Sequence, residues 1–266
     1  DQKGNLETIF DGQQLDFIKH INPPGGGKEA TGLVTRFTRS AKAAVPGYPL
    51  ELRLFHEIEV AKILVNAYFN DFDKERVTYQ LEQSRINEIL KPLNAKLNAQ
   101  PVKGVNEDDV VDLQDYAQES FGKSLSVLQA NYWARAVAMA PRLSIEDRAT
   151  LFSILWAEIP ELTQIYIQFA KTLAQLGNPE RVYAPLTAVV KDNGSGGLSQ
   201  ADSIMNVDML ERLGTNRDEQ IAVRPFIEEG HVGEPVSISL AELTALTAEL
   251  VFPLINPTKV PAVETV

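Results

Sequence analysis

Hydrophobic and polar positions divide this chain into stretches of different period. Before residue 55 the apolar runs are short. Gln14–Ile21 predicts a short strand or helix end, halted by Asn22-Pro23-Pro24. Residues 32–38 alternate weakly and suit a strand. Tyr48–Phe55 alternates at period two, as a half-buried strand does. From His56 onward the spacing becomes helical. Ile58, Ala61, Ile63, Leu64, Ala67, Tyr68 and Phe69 predict an amphipathic helix over 56–72. Leu81, Ile86, Ile89, Leu90, Leu93 and Leu97 mark one face of a long polar helix over 73–99, kinked or broken at Pro92.

Capping residues punctuate the chain beyond residue 100. Asn106 opens a helix to about Phe121, with acidic residues in its first turn. Helices are predicted over 125–140, over 145–157 after Ser144, over 161–176 before Gly177, and briefly over 181–190. Asp192–Gly197 is a loop. Beyond it come a short helix over 206–213, a hairpin of 221–227 with 235–238, and a helix over 240–250. Ser239 caps that last helix, with Glu242 at the third position. The expected organisation is a segment 1–55, a helical domain 56–196, and a small α+β segment 197–266. The expected fold is mainly α, with a few short β-strands at both ends.

Charge and composition narrow the partners. The net charge of −11 disfavours nucleic acid and anionic membrane surfaces, although Arg36, Arg39 and Lys42 form a small basic patch. There is no cysteine, which excludes disulfides, thiolate nucleophiles and Cys-ligated zinc. No window approaches 18 apolar residues, so no transmembrane segment is predicted. No signal-peptide pattern opens the chain, which starts at Asp1 as a piece of a longer protein would.

The most chemically suggestive stretch is Pro23–Thr38. A Gly-rich loop with Lys28, Thr31 and Thr35 beside a β-like run has the ingredients of a phosphate site. It is not a Walker A loop: G-x-x-x-x-G-K-[ST] aligned on Gly27-Lys28 meets Asn22 and Glu29 where Gly and a hydroxyl are required. Two alternatives stay open, a surface loop before an edge strand and a switch-like loop whose Thr31 senses a γ-phosphate and its Mg²⁺.

Elsewhere the bland explanation is stronger. His20, His56 and His231 are scattered. Glu57 and Glu59 face different directions on a helix, and Ser195 sits in a Gly-rich linker. Trp133 and Trp156 suit a core. Arg135, Arg142 and Arg148 suit helical charge pairing. No acid/base pair or nucleophile stands out.

Several segments, in order, resemble the putative bacterial virulence factor family of SrfC-type proteins. They are Leu15–Ile18 with Asn22-Pro23, Gly26–Thr38, Leu52–Phe55 running into Val60–Leu64, and Ala140–Leu143. Leu155-Trp156, Leu162-Thr163, Ala184–Leu186, Ser203–Val207, Leu213-Gly214 and Leu243–Leu250 complete the set. The most specific block is Lys28–Thr38. These proteins look like dynamin-related P-loop GTPases. The resemblance implies GTP and Mg²⁺ in the parent protein, with Lys28, Thr31 and Thr35 toward the nucleotide and Thr31 at the metal; the chain by itself, without either phosphate-cradling motif, is expected neither to bind nucleotide tightly nor to hydrolyse it. It also implies a Walker A loop upstream of Asp1, a D-x-x-G switch downstream of Val266, and a large helical insertion in a partial GTPase-like α/β domain. The expected partner is a protein, bacterial or host. Self-association is expected if strand 48–55 is left with an exposed apolar face. The expected location is the bacterial cytoplasm, or outside the cell by a route that needs no signal peptide.

Overall fold

The structure, a computed structural model, describes residues 6–23, 33–39, 45–72, 81–201 and 203–255. In chain order the strands and helices are β1 (Glu7–Phe10), β2 (Gln13–Asp16), β3 (Val34–Thr38), β4 (Leu50–Leu54), α1 (Glu57–Asn70), α2 (Gln83–Asn94), α3 (Glu107–Phe121), α4 (Tyr132–Met139), α5 (Ile145–Ser153) and α6 (Pro160–Gln175). They continue with β5 (Arg181–Ala184), β6 (Val190–Asp192), β7 (Leu198–Gln200), β8 (Gln220–Glu228), β9 (His231–Val232), β10 (Val236–Ser239), α7 (Leu240–Leu246) and β11 (Thr247–Pro253). The chain is an α/β structure with a mixed sheet. It divides into two compact units, 1–55 with 179–266, and 56–178.

The first unit is built on a sheet in the order β10-β8-β5-β4-β11-β3, with β9 added on β8. β3 runs parallel to β11, and the other pairings are antiparallel. Register sorts the side chains onto two unlike faces, because neighbours in a strand point to opposite sides. One face is the core: Phe37, Leu250, Phe252, Leu50, Leu52, Leu54, Val182 and Val223. Phe252 is fully buried and meets Phe10, Phe17 and Phe37 edge-on at centroid distances of 5.8, 5.4 and 5.6 Å. Edge-to-face rings add roughly 0.5–1.5 kcal/mol per pair beyond burial.

The expected exposed face on strand 48–55 is not found. Leu50, Leu52 and Leu54 are fully buried because β5 and β11 flank the strand on both edges. Two expected helices are also strands at their decisive residues. Arg181–Ala184 pairs with β4 and β8, and after Pro185 only a 3₁₀ turn over Leu186–Ala188 is helical. α7 stops at Leu246, and Thr247–Pro253 enters the sheet between β3 and β4. The start of α7 follows the sequence: Ser239 Oγ accepts from the Glu242 N–H at 3.0 Å. Asp218 adds a second acceptor, 3.2 Å from the Ala241 N–H.

The second unit is helical. α1 packs on α3 and α6, and α5 packs on α2 and α6. Ile86, Ile89, Leu90 and Leu93 are buried on one face of α2, as their spacing predicts. Pro92 sits in its last turn, so the helix ends at Asn94 without an interior break. The Asn106 cap is reciprocal, Asn106 Oδ1 accepting from Asp109 N–H at 3.0 Å and Asp109 Oδ2 from Asn106 N–H at 2.8 Å. Trp133 and Trp156 are core residues of this unit. The 125–140 helix is interrupted at Asn131, which joins a 3₁₀ turn (Ser126–Ala130) to α4.

Candidate functional site

Of the three sequence-predicted contacts, Lys28 and Thr31 lie outside the described residues. Thr35 is half-buried on β3, opposite Leu250 of β11 and on the core side of the sheet with Phe37. It lies just beyond the Gly-rich stretch, on the strand that ends the sheet order.

The other face of that sheet is charged, which the period-two pattern of β4 only hinted at. Register aligns Arg36 (β3), Glu249 (β11), Glu51 and Arg53 (β4), Arg181 and Tyr183 (β5), and Arg224 and Phe226 (β8). Arg36 Nε donates to Glu249 Oε1 at 2.8 Å, and Arg181 Nη1 donates to Glu51 Oε1 at 3.0 Å. The Arg181 guanidinium also lies 4.1 Å from the Phe226 ring centroid, a cation–π contact. Cross-strand pairing puts Arg53 directly opposite Arg181, a repulsive arrangement that the two interleaved glutamates offset. Four arginines and two glutamates thus share one face of the sheet in a chain of net charge −11.

The helical unit holds a second polar cluster, and here sequence reasoning missed the important residues. Glu57, in the first turn of α1, and Arg148, in α5, are both buried. Arg148 Nη1 donates to Glu57 Oε2 at 3.2 Å, and the Tyr166 hydroxyl of α6 donates to Glu57 Oε1 at 2.5 Å. Arg148 Nη2 reaches the carbonyls of Leu143 (3.2 Å) and Lys103 (3.4 Å), tying the 100–105 loop to the cluster. Gly104 is required at that crossing. Its φ is +115°, and a Cβ there would lie 2.1 Å from Glu57 Oε2. Burial raises the Glu57 pKa above the ordinary carboxylate value, outweighing the Arg148 charge and the phenol hydrogen bond. Burial, with the Glu57 carboxylate next to it, also holds the Tyr166 phenol well above its ordinary value. Glu57, Arg148 and Tyr166 are all buried, and together they lock α1, α5, α6 and the 100–105 loop to one another.

The histidines stay apart. His20 Nδ1 accepts from the Asp16 N–H at 3.0 Å, His56 caps α1, and His231 lies on β9. No group of three or more His, Asp or Glu side chains that could hold a metal occurs among the described residues. Ser195 occupies the β6–β7 turn, where Asn193 Oδ1 accepts from the N–H groups of Ser195 and Gly197. No described helix is long and apolar enough to cross a membrane.

Residues 1–266 match the family model described as "Putative bacterial virulence factor". The chain belongs to this family. No curated protein and no solved structure matches it.

Proposed function

We propose, with that membership as premise, that this chain is the switch-bearing and partner-binding part of a dynamin-like P-loop GTPase of the SrfC type. In this reading Lys28, Thr31 and Thr35 address the nucleotide phosphates and Thr31 the Mg²⁺. The helical unit carries the protein contact, with a bacterial or host partner. One observation supports it above the rest. β4 and β5 pair directly in the sheet, yet the whole helical unit lies between them in sequence. In this reading the insertion joins a partner-binding helical module to the sheet that serves the nucleotide. Thr35 on β3, immediately after the Gly-rich stretch, fits a sensor whose movement is passed to the sheet through its edge strand.

The test is Mg²⁺-GTP binding and hydrolysis by the full-length protein. Thr31→Ala and Thr35→Ala should each weaken binding about tenfold or more and slow hydrolysis. Unchanged affinity and turnover in both variants would refute the sensor assignment.

A second reading, a nucleotide-independent interaction module, draws on the helical unit alone. Ile63 on α1 and Val111 on α3 are exposed apolar residues on two helices packed together. Partner recovery that is equal with GTP, with GDP and without nucleotide would favour it.

A further inference from the structure

The charged sheet face ends in a cleft that neither the nucleotide reading nor the helical unit uses. It encloses about 340 Å³ between the Val45-Pro46 turn and the β8–β9 hairpin, at the small end of ligand sites, which run from about 300 to 1,000 Å³. Tyr183 and Phe226 supply aromatic surface, and Val45, Pro46 and Val232 supply apolar walls.

Two polar groups that meet there have no charged partner among the described residues. Arg224 Nε donates to Gly233 O at 2.8 Å, and its guanidinium lies 5.9 Å from the Tyr48 ring centroid. These contacts hold the fork in place while no carboxylate pairs with it among the described residues. Arg224 is thus unlike Arg36, Arg148 and Arg181, each of which has its glutamate. No described residue hydrogen-bonds the hydroxyl of Tyr183, which lines the cleft. Burial, with the carboxylates of Glu51 and Glu229 outweighing the nearby Arg181 charge, raises its pKa above the ordinary phenol value. Glu228 and Glu229 line the same cleft.

The distribution of charge selects the ligand. A guanidinium fork and a phenol suit one carboxylate. Two glutamates in the lining, Glu228 and Glu229, repel a second negative charge and attract an ammonium. Aromatic and apolar surfaces fill the space between. We propose that this cleft binds a small aromatic zwitterion, an aromatic α-amino acid, with its carboxylate on Arg224 and Tyr183 and its ammonium toward Glu228 and Glu229. The cleft would do so whether or not the chain serves a GTPase.

Calorimetric titration of the 266-residue chain with L-tryptophan, tryptamine and indole-3-propionate tests it, since the last two lack the carboxylate and the ammonium respectively. Tryptophan should bind saturably at one site, and each analogue about tenfold or more weaker. Arg224→Met, which keeps an apolar stem beside Tyr48, should abolish the preference over tryptamine. Glu228→Gln with Glu229→Gln should abolish the preference over indole-3-propionate. Tyr183→Phe keeps the ring and should weaken tryptophan binding, which covers the case in which the Arg224 variant does not fold. No saturable binding of tryptophan up to roughly 10 mM would overturn the proposal. So would equal affinity in folded Arg224→Met. GTP binding in the cleft with the same dependence on Arg224 would overturn it in favour of a polyanion site.

Discussion

Arg148→Met isolates what the buried cluster contributes. Arg148 is fully buried, and it spends one nitrogen on Glu57 and another on two carbonyls. Methionine keeps much of the stem's volume but removes the charge and three hydrogen bonds. Glu57 is then a buried carboxylate still held by the Tyr166 hydroxyl but with no cation beside it. Removing one partner of a buried ion pair costs about 3–5 kcal/mol, because the other charge stays behind unpaired. The helical unit should therefore lose about that much, shifting its melting by roughly 10 °C or more. Both tryptophans, Trp133 and Trp156, lie in this unit, so their fluorescence tracks its unfolding. Adding Glu57→Leu removes the stranded charge, and the double variant should recover at least about 2 kcal/mol relative to the sum of the single changes. If Arg148→Met costs below about 1 kcal/mol, or the two changes simply add, the cluster is not the coupled lock described.

The same geometry leads to three further outcomes. Gly104→Ala should destabilise the helical unit by at least about 2 kcal/mol in urea titration, from positive φ and from collision with Glu57; a neutral result would contradict the packing. Because the folded-state pKa of Glu57 is raised, the native state holds that proton more tightly than the unfolded chain. Its contribution is then full below the ordinary carboxylate pKa and is lost as pH rises through the folded value. Wild type minus Glu57→Gln stability should accordingly fall as pH rises above the ordinary carboxylate range, and a rise would refute the raised pKa. Phe252→Ala, at the centre of four rings, should cost the sheet unit about 3–5 kcal/mol by far-UV circular dichroism; a loss near zero would mean the rings do not pack as a unit.

Local signals in the sequence were legible where they were self-contained. The Asn106 box, the Ser144 and Ser239 caps, the apolar face of α2 and the β8–β10 hairpin all rest on residues a few positions apart. Long-range pairing was not legible. Thr247–Pro253 extends a helical pattern by spacing alone, and only a slot between β3 and β4 makes it a strand. Glu57 and Arg148 are 91 positions apart, and each taken singly is an ordinary charged helix residue. The charged sheet face has the same origin: its residues come from five strands, and only register brings them into line.

Residues 56–178 are an insertion between paired strands of one sheet, and the proposed division of roles between switch and partner surface rests on that arrangement. Its direct test is to replace them with a short Gly-Asn turn from Phe55 to Pro179, and to express 56–178 separately. Leu54 N–H already donates to Glu180 O at 3.0 Å, so the strand ends are close enough to be joined. Both products should unfold cooperatively, the shortened chain by circular dichroism and the helical piece by tryptophan fluorescence. Aggregation of the shortened chain, or a helical piece without a cooperative transition, would contradict the insertion.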